Sequence, residues 1–217
     1  MHIYAFGSVC RGEVDAFSDI DLLALTKPDE SDKNAFKSKD YSVYSYQRIK
    51  DLWSEGNPFA WHLHLESKMI HSTDGSDYLR ALGSPNKYKK GLDDCQKFYE
   101  VFNSSRTSIQ ESSYSEIFDL SSIFLSIRNI ATCFSLATNI KNNFSRKSAL
   151  NLSEYSLPVE HSVFDSLERA RMLCIRGTGE MLKESDVFAV KKAFSDIEQW
   201  MLELITKISE EQFHDGV

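Results

Sequence analysis

The period of the apolar pattern changes along the chain, and that change constrains the fold more than any other feature. Up to about residue 72, short apolar runs alternate with turn-forming residues. His2-Ile3-Tyr4-Ala5-Phe6 reads as a strand stopped by Gly7-Ser8, and Asp19 to Leu25 as a second strand ended by Lys27-Pro28. Tyr41 to Tyr46 is a third, rich in aromatic and β-favouring residues. Arg48 to Trp53 predicts a short helix closed at Gly56, and Phe59 to Leu65 predicts another, followed by a short segment Lys68 to His71.

Beyond about residue 84 the spacing becomes helical. Leu92 to Ile109 predicts one helix and Ser115 to Thr138 a stronger one. In the second, Ile117, Leu120, Ile123, Phe124, Ile127, Ile130, Ala131 and Phe134 recur three and four apart and form one apolar stripe. Phe144 to Leu152 predicts a short helix, Ser162 to Ile175 a longer one ended by Gly177, and Asp186 to Ile208 a last one with Val190, Phe194, Ile197, Met201, Leu204 and Ile208 on one face. The Ser-rich piece Ser104 to Ser115 predicts a connection between helices. The expectation is an α+β chain, with a mixed sheet and helices over residues 1–83 and an all-α helical bundle over residues 84–217.

A length of 217 residues suffices for one small α/β unit and one helical unit, and 41% hydrophobic with 26% charged residues is ordinary for a globular protein. The net charge of −7 argues against an extended nucleic-acid surface, which needs clustered Lys and Arg. It does not argue against a single nucleotide, whose phosphates a metal ion and a few donors can hold. Cys10, Cys95, Cys133 and Cys174 are widely spaced, so reduced thiols are expected rather than a metal cluster or a disulfide framework. No run approaching the roughly 18 to 20 apolar residues of a membrane span is evident, and Met1 leads directly into a strand, so a cytoplasmic location is expected.

The chemistry concentrates between Gly7 and Asp21. Residues two apart in a strand project from one face, so Asp19 and Asp21 point the same way about 7 Å apart. Such a pair is badly placed for a core, where neither carboxylate could remain buried and unpaired. It is well placed to clasp Mg²⁺, which prefers hard oxygen ligands and takes one or two carboxylates together with substrate phosphates. The Gly7-Ser8 turn offers backbone N–H groups and a hydroxyl without side-chain obstruction, which suits a phosphate. Arg11-Gly12 adds a cation and a flexible point between the two strands.

The run Phe6-Gly7-Ser8-Val9-Cys10-Arg11-Gly12-Glu13-Val14-Asp15-Ala16-Phe17-Ser18-Asp19-Ile20-Asp21-Leu22-Leu23 resembles the signature of the DNA polymerase beta-type nucleotidyltransferase superfamily. Among its members the short prokaryotic ones are the most similar, namely the MNT-type antitoxins and the aminoglycoside nucleotidyltransferases. The resemblance implies that Gly7 and Ser8, with Arg11 as a further contact, hold the triphosphate of a nucleoside triphosphate such as ATP. It implies that Asp19 and Asp21 ligate Mg²⁺. The reaction implied is transfer of a nucleoside monophosphate to a hydroxyl on a small molecule or a protein, with the helical half closing over that acceptor.

Active members of this family carry a third carboxylate on a later strand. The aligned position here is Ser42, and Asp40, two residues earlier, is the nearest carboxylate that can serve as the third catalytic acid. Without it the site is expected to bind nucleotide but transfer slowly or not at all, as an interaction or antitoxin-type module. Nucleotide binding is therefore the firmer expectation, and the acceptor and the oligomeric state, a homo-oligomer included, stay open. The segment Gly56 to Lys68 resembles a stretch common in similar chains. Its pairs His62/Glu66 and Trp61/Leu65 each share a helix face, which reads as a helix packed on the sheet by Trp61 and Leu65. Ser126 to Thr132 resembles the Arg-containing helix of HEPN-type domains, but no His follows Arg128 closely, which argues against RNase chemistry. Phe144-Ser145-Arg146-Lys147-Ser148 is a cationic patch that reads as a solvated cap.

Overall fold

The computed structural model describes residues 1–14, 20–27, 41–111, 114–140 and 142–214, with side chains to residue 211. The chain divides into two compact units, Met1–Lys89 and Lys90–Val217.

The first unit is a four-stranded mixed sheet covered on one face by helices. Strand β1 (His2–Phe6) leads into the short helix α1 (Ser8–Arg11), followed by β2 (Asp21–Thr26) and β3 (Tyr41–Ser45). Helices α2 (Tyr46–Glu55) and α3 (Pro58–Glu66) precede β4 (Ser67–Ser72) and the short α4 (Tyr78–Ala81). The strand order is β3-β2-β1-β4, with β1 antiparallel to both neighbours and β3 parallel to β2. The expected segment Lys68 to His71 is thus an edge strand.

Strand alternation places Tyr4 and Phe6 of β1 on the same face as Leu23 and Leu25 of β2, and these pack with Ile49, Leu52, Trp53, Ala60, Leu63 and Leu79. The turn chemistry is local. Ser45 Oγ accepts from Arg48 N at 3.1 Å to cap α2, and Asn57 Oδ1 accepts from Phe59 N at 2.9 Å to cap α3. Gly56, in the left-handed region at φ 63°, closes α2. A residue with a β-carbon there would stand 2.4 Å from the carbonyl oxygen of Asn86, so the 83–87 segment can cross it only because it is glycine. Trp53 Nε1, donating to Gly83 O at 2.9 Å, fixes the same strap.

The second unit is helical: α5 (Gly91–Glu111), α6 (Glu116–Ala137), α7 (His161–Arg176), α8 (Glu184–Lys192) and α9 (Phe194–His214). Helix α6 is its axis, with Leu120, Ile123, Phe124, Ile127, Ile130, Ala131 and Phe134 all buried; Ile117, at its outer end, is only partly so. Against the expectation that no segment is apolar enough to span a bilayer, this helix is so by length and composition alone, with Arg128 the one charge between Leu120 and Ala137. Of its most apolar window, 72% is buried within the protein.

Three further expectations are revised. The Ser-rich piece from Ser104 is not a connection: α5 continues through it to Glu111, with Ser105 and Ile109 buried. Phe144 to Leu152 is not an α-helix but an irregular segment with 3₁₀ turns at Ser148–Leu150 and Ser153–Tyr155. Arg128 Nη2 donates to Phe144 O at 3.0 Å, and Ser148 Oγ donates to Arg128 O at 3.1 Å, so α6 itself pins this segment. The last predicted helix is two, α8 and α9, separated at Ala193.

Candidate functional site

Strand register brings Gly7 and Asp21, among the described candidate residues, to one end of the sheet. Phe6 pairs with Asp21 on one side and with Ser67 on the other. The next residues outward from Phe6 and Ser67, Gly7 and Glu66, therefore flank the same end as Asp21. By alternation Asp21 shares the face of Leu23 and Leu25, but it is exposed at the open edge while they are fully buried.

Gly7 is required twice over. Its φ of 76° and ψ of −141° belong to a region that residues with a β-carbon rarely enter. A β-carbon at Gly7 would also stand 2.9 Å from Asp21 Oδ2 and 3.9 Å from His62 Cε1. The Asp21 carboxylate and the His62 ring therefore both close on the bare Cα of the turn. Helix α1 starts from this turn, with Cys10 N and Arg11 N donating to Gly7 O at 3.0 and 3.2 Å. Ser8 and Val9, in its first turn, carry N–H groups that have no acceptor within the helix. Cys10, by contrast, is turned inward: its Sγ donates to Ala5 O at 3.3 Å, and burial pushes its thiol up.

Arg11 does not project freely into solvent. Its Nε donates to Glu13 Oε2 at 2.8 Å and its Nη1 to Glu66 Oε2. His62 Nε2 lies 3.0 Å from the same Glu66 oxygen, and the His62 ring meets Phe6 edge-on at 5.5 Å. Burial alone would raise the Glu66 carboxyl, but His62 and Arg11 outweigh it and hold it below its usual range. For Arg11, burial favours loss of the proton, and Glu13 and Glu66 more than reverse that.

Asp19 and Asp40 lie outside the described residues. Ser42, the position aligned with the third acid, is in register with Leu23, so it stands two positions inward from the level of Asp21, on the same face. The described pairing of β2 with β3 begins at Leu22 and Tyr41. Among the described residues no three His, Cys, Asp or Glu side chains come together as a metal cluster. Asp21 is the described carboxylate that closes on the turn, and its oxygens are the hard donors Mg²⁺ takes.

Reading the sequence alone missed the bearing of His62 and Glu66 on this site. Their spacing of four was visible, but only the pairing of β4 with β1 carries them to the Gly7 turn. The packing roles assigned to their neighbours are also revised. Leu65 is 49% exposed, whereas Ala60 and Leu63 are the residues of α3 that enter the core. Trp61 instead donates from Nε1 to Asn86 O at 3.1 Å.

The helical unit has a groove of about 590 Å³ lined by Tyr155, Glu198, Leu202, Glu203, Lys207 and Glu210. Its carboxylates make it a poor host for a triphosphate. The cationic patch of that unit is tied down as well, since Arg146 Nη1 is 3.3 Å from Glu168 Oε1.

Residues 2–82 match the family model of the nucleotidyltransferase domain. No curated protein matches the chain.

Proposed function

We propose, from the match of residues 2–82 to the family model of the nucleotidyltransferase domain, that the chain binds a nucleoside triphosphate with Mg²⁺ at the end of the sheet marked by Gly7 and Asp21 and transfers the nucleoside monophosphate to a hydroxyl acceptor. The observation that carries this reading is the closure of the Asp21 carboxylate to 2.9 Å from the β-carbon position of Gly7. A bare turn with two first-turn N–H groups, directly beside a carboxylate, suits a phosphate that shares a metal ion with that carboxylate.

In this reading Gly7 and Ser8 face the triphosphate, Arg11 contributes a further contact, and Asp21 holds the metal together with Asp19. Bound Mg²⁺ would neutralise phosphate charge and orient the leaving group. The acceptor oxygen forms a bond to the α-phosphorus as the bond from that phosphorus to the bridging oxygen of pyrophosphate breaks. The acceptor proton passes to a base, for which Asp40 is the proposed residue. The acceptor is a small molecule, as for the aminoglycoside-modifying relatives, or a protein hydroxyl, as for the MNT-type antitoxins.

One observation favours a second reading, a module that binds nucleotide without turnover. The position aligned with the third acid holds Ser42, whose hydroxyl is no substitute for a carboxylate base, and it sits beside Leu23 rather than Asp21. A transfer assay separates the two. With Mg²⁺ and each of ATP, GTP, CTP and UTP labelled at the α-phosphate, the enzyme releases pyrophosphate and passes label to an acceptor, and Asp40→Asn suppresses this. Saturable binding without label transfer across a broad panel of hydroxyl acceptors supports the second reading. Undiminished transfer by Asp40→Asn removes Asp40 from the mechanism.

A further inference from the structure

Glu66 occupies an unusual place, because one of its oxygens serves two partners that flank the Gly7 turn. Arg11 comes from the end of α1, on the far side of that turn, and donates to Glu66 Oε2 through Nη1. His62 comes from one turn earlier in α3, places Nε2 3.0 Å from the same oxygen, and sets Cε1 against the Gly7 turn. The side chains of all three are largely buried, at 18% exposure for Arg11, 14% for His62 and 13% for Glu66. The second carboxylate on Arg11, Glu13, is 55% exposed.

We propose that Glu66, steadied by His62, is a positioning residue that aims the Arg11 guanidinium at the phosphates of a nucleoside triphosphate bound on the Gly7 turn. The inference rests on the nucleotide reading above and deepens it. A guanidinium has five N–H donors, and the bonds to Glu66 and Glu13 account for two. The rest suffice for a phosphate once the plane of the group is fixed. Glu66 fixes it from the protein side through a buried, ionised carboxylate, while the exposed Glu13 is the partner an incoming phosphate displaces. A long arginine on a four-residue helix would otherwise lose considerable side-chain entropy on binding.

The test is a double-mutant cycle on nucleotide binding. The probe is whichever of ATP, GTP, CTP and UTP, with Mg²⁺, binds the wild type most tightly, and the corresponding nucleoside is titrated beside it. Glu66→Gln should weaken the triphosphate by about tenfold or more, the worth of one charge-assisted hydrogen bond, and leave nucleoside affinity unchanged. Arg11→Gln should do the same, and the double variant should be no weaker than Arg11→Gln alone. His62→Ala should move in the same direction, and His62→Gln, which keeps a donor near the carboxylate, should recover most of the loss. Additive losses in the double variant, or equal losses for triphosphate and nucleoside, reduce Glu66 to a structural residue and overturn the proposal. Wild-type binding that Asp21→Ala abolishes but Glu66→Gln and His62→Ala leave unchanged overturns this inference alone. Absence of binding by the wild type overturns the nucleotide reading, and this one with it.

Discussion

Replacing Gly7 with alanine tests the geometry of the turn against a control contained in the same loop. Gly7 and Gly12 share a φ of 76°, but Gly12, with ψ 15°, lies in the left-handed helical region and Gly7, with ψ −141°, lies where glycine alone is comfortable, so an alanine carries backbone strain at both and more of it at Gly7. Their surroundings differ. A β-carbon at Gly12 meets nothing within 4 Å, whereas one at Gly7 stands 2.9 Å from Asp21 Oδ2. Ordinary contact begins near 3.4 Å, so the carboxylate must retreat by 3.4 − 2.9, or about 0.5 Å. Mg²⁺ holds its ligands at about 2.0–2.1 Å with little tolerance, so a shift of that size should disrupt the site. Both variants should therefore lose thermal stability, Gly7→Ala the more, while only Gly7→Ala loses Mg-nucleotide affinity, by about tenfold or more. Thermal melts and nucleotide titrations on both proteins measure the two effects separately. Wild-type affinity in Gly7→Ala, or an equal loss in Gly12→Ala, would refute the argument that the Asp21 carboxylate and the bare turn act together.

Three further outcomes follow from the same structure. Tyr4→Phe should destabilise the first unit by about 1–3 kcal/mol, because the buried phenol donates to Asp77 Oδ1 at 3.0 Å and accepts from Leu79 N at 3.1 Å, and its loss strands that N–H; urea unfolding reads this. Gly56→Ala should cost more than about 2 kcal/mol, since strain at φ 63° is joined by clashes with the backbone oxygens of Asn86 and Lys87, whereas Gly75→Ala, with open space around it, should cost only the strain. Glu66 is held below its ordinary value of 4.5, so its contribution to stability is present at neutral pH and is lost as the pH falls through that value and below. Unfolding between about pH 6 and pH 3 should therefore show a shallower acid loss in Glu66→Gln than in the wild type.

The sheet was legible because its strands carry alternating or aromatic runs between Gly, Ser and Pro signals, and the Gly7 turn because glycine precedes serine where a strand stops. The edge strand β4 was harder to read: of its residues none is fully buried, so apolar alternation cannot mark it. In the helical unit the stripe Val190, Phe194, Ile197, Met201, Leu204 and Ile208 keeps its three-and-four spacing through Ala193, which hides the break between α8 and α9. The reverse error arose at Ser104, where polar residues imply a loop although the helix needs only Ser105 and Ile109 on its inner face. At the candidate site the acids and glycines were legible because their spacing is short. The convergence of Arg11 and Glu66 was not, because 55 residues separate them and only the β1–β4 register brings them together.

The proposed site binds nucleotide at the Gly7–Asp21 end of the sheet through a metal ion. Calorimetric titration of the full chain with each nucleoside triphosphate, in Mg²⁺ and again in excess chelator, tests it most directly, with the Asp19→Ala plus Asp21→Ala variant run in parallel. Saturable binding in Mg²⁺ is expected, disappearing both with chelator and in the double variant, while the variant's melting curve shows it still folded. Binding that persists unchanged in the folded double variant, or its absence in the wild type with all four nucleotides, would contradict it.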